Sequence, residues 1–262
     1  GGFAAEDKFG NAAGKGEGVD ADVVGQGRGQ DQIIEFCVQG LAGDCGAQDL
    51  YHGGDQLGAG RIGKVHAASI KMDPRSELVA VTDVMAEAAE ALAQEHGIAV
   101  RTPEEIFADA SIDAILIASS TITHSDLIEA GVKAGKAIFC EKPIDLSLER
   151  ALQVRQIAAS HDRPMMMGFN RRFDPNFAAV KAALDAGEVG KGEMLAVTSY
   201  DPAPPPVSYI KVSGGLYRDM MIHDFDMCSF LFGMPVSVMA HGSCLVDPEI
   251  GAAGDVDTAV VV

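Results

Sequence analysis

From Gly58 onward, short apolar runs alternate with amphipathic segments. A parallel sheet covered on both faces by helices is the arrangement that buries both kinds of segment. "ELVAVTD" (77–83) reads as a strand and "MAEAAEALAQEHG" (85–97) as a helix closed by Gly97. "DAILIAS" (113–119) is apolar throughout, as a strand buried on both faces must be, and "HSDLIEAGVKAGK" (124–136) is the next helix. "AIFCEK" (137–142) is a further strand, the segment after Ser147 a helix capped by that serine, and "PMMMGF" (164–169) another strand.

Past Phe169 the order changes. A helix is expected near 174–186, a strand near 192–200 and a helix near 219–232, then strands over 236–246 and 256–262. Successive strands without crossover helices predict an antiparallel sheet. The fold class is therefore α/β: a doubly wound, Rossmann-type parallel sheet over 58–168, followed by a second α+β domain over 169–262 on a mostly antiparallel open sheet. The chain stops inside "TAVVV", so that sheet is expected to be cut short.

Residues 1–57 differ in kind, holding fourteen of the thirty glycines. Only "IIEFCVQGL" (33–41) could order itself there, and the rest has the composition of a flexible linker. "YHGGDQL" (51–57) precedes the glycine loop, where a central, doubly buried strand should stand. Two glycines with His52, Asp55 and Gln56 suit that position poorly. The expectation is a disordered, non-native segment joined upstream of Gly58, with the first strand lost, and a chain that is a fragment or a processed product.

Charge and cysteine content exclude several function classes. A net charge of -18 is the wrong sign for nucleic acid or an anionic membrane surface, and no basic cluster interrupts it. Five widely spaced cysteines without a C-x-x-C pair signal neither a disulfide framework nor a zinc site, and a reducing, cytoplasmic setting is expected. No membrane span or secretory signal is read, and no metal is expected.

Three motifs carry chemistry. Gly58-Ala59-Gly60-Arg61-Ile62-Gly63 fits G-x-G-x-x-G, which serves a tight turn, close backbone approach to a pyrophosphate and helix packing. Asp83 follows at the end of the second strand, where a carboxylate accepts from ribose hydroxyls and repels a 2′-phosphate. NAD is therefore expected rather than NADP. "CEKP" (140–143) puts Glu141 and Lys142 at the carboxyl end of a parallel strand, the edge at which such sheets bind ligands. In "RDMMIHDFDM" (218–227), Asp219 and His223 stand one helical turn apart. An oriented general base and a structural ion pair both fit that spacing, and a metal site lacks a second histidine. Asp224 and Asp226 lie on other faces and are expected to face solvent or cap the structure. Asn170, Arg171 and Asp201 lie on loops that could serve a polyol, and His66 is read as a helix residue near the cofactor end.

Taken together, "GAGRIGKVHA", "AVTD", "EKPIDLSLERA", "GFNRRFDPNF", "SYDPAPPPVSYIKVSGGLYRDMMIHDFDM" and "GDVDTAVVV" resemble the glucose-fructose oxidoreductase and inositol dehydrogenase family, over 58–262. The resemblance implies a Lys142, Asp219 and His223 catalytic set. In that set His223 takes a proton from a ring hydroxyl, Lys142 polarises the same oxygen, and Asp219 orients His223 and binds a neighbouring hydroxyl. It implies NAD held by Gly58, Gly60, Arg61, Ile62, Gly63, Asp83, Ser119, His124 and Glu141, with Asn170, Arg171 and Asp201 beside the substrate. A cyclic polyol substrate, oxidised at one ring carbon, and a homotetramer follow from the same likeness. Family members begin with a strand ahead of the glycines and continue for roughly sixty to ninety residues more. A related scyllo-inositol or sugar dehydrogenase is one competing expectation, and an inactive fragment or nucleotide-binding module without turnover is another.

Overall fold

The computed structural model describes residues 54–262. The expectations for the glycine-rich start lie outside the described residues, apart from the last four positions before Gly58.

Six parallel strands form the main sheet: β1 (Gly54–Leu57), β2 (Leu78–Thr82), β3 (Ala99–Val100), β4 (Ala114–Ile117), β5 (Ala137–Cys140) and β6 (Met165–Met167). Their spatial order is β3-β2-β1-β4-β5-β6, the doubly wound order whose switch point lies between β1 and β4. Helices α1 (Arg61–Met72), α2 (Ala86–His96), α3 (Pro103–Ala108), α4 (His124–Lys133) and α5 (Leu148–Ala159) connect them. Gly97 ends α2 in the left-handed region at φ 67°, and the Ser147 hydroxyl accepts from Arg150 N–H to cap α5. Leu57, Ile106, Ile115, Ile117, Ile128, Ile138 and Val154 close the core on one face of the sheet. Leu78, Val81, Leu92 and Ala67 close it under α1 and α2.

The first strand is present, which corrects the expectation that it was lost. β1 sits at the centre of the sheet, laddered to β2 on one side and β4 on the other. Gln56 is tolerated there because its side chain folds back under the loop, Nε2 donating to the Gly58 carbonyl at 2.6 Å. Its Oε1 is buried without a partner among the described residues.

Beyond β6 come a 3-10 turn (Asn170–Phe173), α6 (Pro175–Asp185), α7 (Val207–Ser213), a π-type turn (Leu216–Met220), α8 (Ile222–Phe232), β7 (Ala240–Ser243), α9 (Pro248–Ala252) and β8 (Thr258–Val261). β7 and β8 pair antiparallel. The strand expected over 192–200 is irregular chain instead, because among the described residues no strand lies alongside to complete its hydrogen bonds. Asp257 organises the turn into α9, accepting from the backbone N–H groups of Leu245, Val246 and Asp247 at 2.8–2.9 Å. Those bonds hold its carboxyl far below the usual carboxylate range.

Candidate active site

The loop between β1 and α1 is shaped by two glycines that nothing else could replace. Gly58 has φ 116°, and a Cβ there would lie 2.5 Å from the Ala118 backbone. At Gly63 a Cβ would meet the Gly58 carbonyl oxygen at 2.2 Å. Gly60, by contrast, has ordinary extended backbone, and a Cβ would project into open space. That space lies at the start of α1, whose first turn has no side-chain cap and no acidic residue. Free N–H groups and the positive end of a twelve-residue helix therefore face it, the arrangement that receives a pyrophosphate. Asp83 stands beside the loop, Oδ2 accepting from Ala59 N–H at 2.7 Å and Oδ1 from Met85 N–H at 2.8 Å. A dinucleotide thus fits the residues present. Ile62 faces inward and packs against Leu116, Ala118 and Phe139.

Two further residues expected at the cofactor serve the scaffold. His124 is buried: its Nδ1–H donates to the Pro143 carbonyl at 2.7 Å, and Nε2 lies 3.2 Å from the Ser119 carbonyl. The ring thereby ties the end of β4 to the loop carrying Lys142. Ser119 pairs its hydroxyl with Thr123 at 2.7 Å. Glu141 is held by His66 of α1, Nε2 to Oε1 at 2.6 Å, and Gly168 leaves room only for that carboxylate. His66 is thus a helix residue with its ring edge against Phe139, as expected, and it is also the partner of Glu141, which the sequence did not show.

Lys142 reaches across from the parallel sheet to the π-type turn. Its Nζ donates to the Asp219 carbonyl at 2.7 Å and to Asp219 Oδ1 at 2.9 Å. The turn is closed by Met221 N–H on the Leu216 carbonyl, an i to i+5 bond, and such one-turn bulges recur at functional sites. Its start is fixed from the loop ahead of β8, where Asp255 Oδ2 accepts from Leu216 N–H at 3.0 Å. Asp255 occupies the place that a Cβ on Gly215 would need, and Gly215 itself has φ 73°.

The Asp219–His223 pairing expected from their spacing does not form. Asp219 Oδ1 is taken by Lys142 and by the Tyr209 hydroxyl at 3.1 Å, while His223 Nδ1 is buried without a hydrogen-bond partner among the described residues. The widened turn puts the two side chains out of the simple helical register. Burial lowers the His223 pKa, and the Lys142 and Arg171 charges lower it further against the weaker pull of Glu141 and Asp219. A neutral imidazole in the field of a fixed ammonium has the parts of a general base.

Asp224 and Asp226 do not face solvent, which corrects the sequence expectation. Arg171 pairs with Asp224, which also accepts from Ser199 Oγ at 2.7 Å. Arg172 forks onto Asp226 at 2.6–3.0 Å and lies over the Phe230 ring. These two ion pairs bolt the 3-10 turn to α8. Asn170 and Asp201 are exposed. Asp201 and Arg171 line a cleft of about 580 Å³ with Phe177 and Met220, but neither Lys142 nor His223 does. Among the described residues no three His, Cys, Asp or Glu converge to hold a metal ion, and no helix is long and apolar enough to cross a membrane.

A doubly wound sheet with an open pyrophosphate cradle, joined through a lysine to an α+β unit, defines a two-part dinucleotide-binding protein. Residues 57–169 match the oxidoreductase family described as an NAD-binding Rossmann fold, and residues 177–262 match the GFO/IDH/MocA C-terminal domain. The chain belongs to the GFO/IDH/MocA oxidoreductase family. It is 54% identical over 207 residues to an inositol 2-dehydrogenase of Rhizobium meliloti (strain 1021), covering 79% of this chain and 63% of that relative. A crystal structure of a myo-inositol dehydrogenase from Corynebacterium glutamicum superposes with TM-score 0.77 at 45% identity, covering 81% of this chain and 64% of the other. A scyllo-inositol dehydrogenase from Lactobacillus casei with bound NAD(H) and scyllo-inositol superposes with TM-score 0.70 at 31% identity, covering 80% and 64%. The chain thus spans less than two thirds of the length of these relatives.

Proposed function

We propose that this protein is an NAD-dependent inositol 2-dehydrogenase, which oxidises one ring hydroxyl of myo-inositol to the 2-keto sugar and so opens the polyol to catabolism. The observation that carries this reading is the Lys142 ammonium fixed on Asp219, with its charge and burial together keeping the His223 imidazole neutral. NAD, when bound, supplies the acceptor for the hydride leaving the ring carbon. The chain's own residues do the rest. His223 takes the hydroxyl proton, Lys142 holds and polarises the oxygen, and Asp219 holds Lys142 in place. The names of the 54% and 47% identical relatives, both inositol 2-dehydrogenases, support the substrate.

A scyllo-inositol substrate is the second reading, favoured by the structural relative that holds it. A panel of myo-inositol, scyllo-inositol and linear polyols, assayed with NAD and with NADP, separates the two. Turnover of myo-inositol with NAD is expected. Lys142→Ala and His223→Ala should abolish it while leaving NAD binding intact. NAD binding with no polyol turned over would leave a nucleotide-binding module, and native activity in either variant would remove the mechanism. The same reading places the protein in the cytoplasm as a homotetramer, supported by free thiols at Cys140, Cys228 and Cys244 and by exposed apolar residues on the antiparallel half.

A further inference from the structure

Tyr209 lies on α7, outside the residues that the reading above uses. Its hydroxyl donates to Asp219 Oδ1 at 3.1 Å, the same oxygen that Lys142 Nζ reaches at 2.9 Å. That oxygen is saturated by two donors, and Asp219 Oδ2 makes no hydrogen bond within the described residues. A carboxylate held at one oxygen presents the other in a fixed direction, whereas a carboxylate held by a single donor swings about χ2. Asp219 is part-exposed, so its free oxygen can be reached from outside.

We propose that Tyr209 is a positioning residue for the polyol: it locks the Asp219 carboxylate so that Oδ1 is committed to Lys142 and Oδ2 is aimed at a substrate hydroxyl next to the one being oxidised. This rests on the dehydrogenase reading of the same site. A phenol suits the task because it remains a donor over the working pH range. Burial and the Asp219 charge push its pKa up to about 12, against the opposing charge of Arg61 at the start of α1. Tyr209 therefore gives a hydrogen bond and exchanges no proton during turnover.

Tyr209→Phe removes the hydroxyl and retains the ring. Loss of one hydrogen bond that orients a charged group is expected to lower kcat/KM for the polyol about tenfold. Most of that loss should be in KM, with kcat within about threefold of native, NAD affinity within about twofold and an unchanged melting temperature. Native KM for the polyol would overturn the proposal, as would a loss of NAD affinity equal to the loss for the polyol. A second arm needs no turnover. With tyrosine labelled at Cζ, the Tyr209 NMR signal of the full chain, identified by its loss in Tyr209→Phe, should still be that of the protonated phenol at pH 10.5. In Asp219→Asn it should titrate at lower pH. Titration of Tyr209 near its ordinary value in the native chain would sink the contact itself. If the native chain turned over no polyol while this NMR signature held, the dehydrogenase reading would fail and the Tyr209–Asp219 lock would stand.

Discussion

At the scale of single residues, the glycine loop separates two roles that the G-x-G-x-x-G pattern runs together. Gly63 is needed by the fold, because a Cβ there would strike the Gly58 carbonyl oxygen. Gly60 is needed only by what approaches from outside. Gly63→Ala is expected to destabilise the domain by about 3 kcal/mol and to abolish NAD binding. Gly60→Ala should keep native stability within about 1 kcal/mol and weaken NAD binding at least tenfold. Denaturant melts and fluorescence titration on the two variants check both statements. His223 supplies a second prediction. Its folded pKa lies below the free imidazole value, and the base must be neutral, so turnover should rise with pH through that lowered pKa. The acid limb of kcat/KM for the polyol should therefore fall below pH 6.5, and a limb above 6.5 would contradict the burial and the Lys142 and Arg171 charges that depress it.

At the scale of elements, the connection between the 3-10 turn and α8 decides how the second half of the chain stands on the first. Asp226 keeps its side chain 8% exposed against Arg172, so removing one partner strands a buried charge. Arg172→Ala, which leaves the Asp226 carboxylate unpaired, should cost about 3 kcal/mol in chemical denaturation. The exposed Lys181–Asp185 pair on α6 is a control, and Asp185→Ala should cost below about 0.5 kcal/mol. Most elements of the parallel sheet were legible as apolar runs and capped helices. α3 escaped notice although "TPEE" spells a capping box, which the structure forms between Thr102 and Glu105. The strand expected over 192–200 failed for a different reason: alternation makes a segment able to pair, but a ladder needs a neighbour.

At the scale of the whole molecule, apolar side chains remain uncovered mainly on the antiparallel half. Met194, Val236, Val238, Met239, Leu245 and Val246 are exposed there, and soluble chains seldom leave so many large residues bare without a surface to set against them. Sedimentation at micromolar concentration is expected to show species heavier than the 27.3 kDa monomer, and the paired change Val238→Asp with Met239→Lys should shift the distribution toward monomer. An unchanged distribution would rule this face out as the contact.

The amino-acid order by itself determined what depends on local pattern: the period of each apolar run, the caps, the glycine loop with its acid partner, and the lysine at a strand end. Those are set by neighbours a few residues apart, and they sufficed for the doubly wound sheet. Pairings between distant residues were decided only by the tertiary structure. Asp219 stands four residues from His223 yet binds Lys142, 77 positions away. Glu141 is held by His66, Asp224 by Arg171, and the start of the π-type turn by Asp255 across 39 positions. Even the first strand, unreadable in "GDQL", forms because β2 and β4 offer it hydrogen bonds on both sides. A charged side chain takes whichever partner the packed backbone brings within reach, and sequence spacing carries no record of that choice.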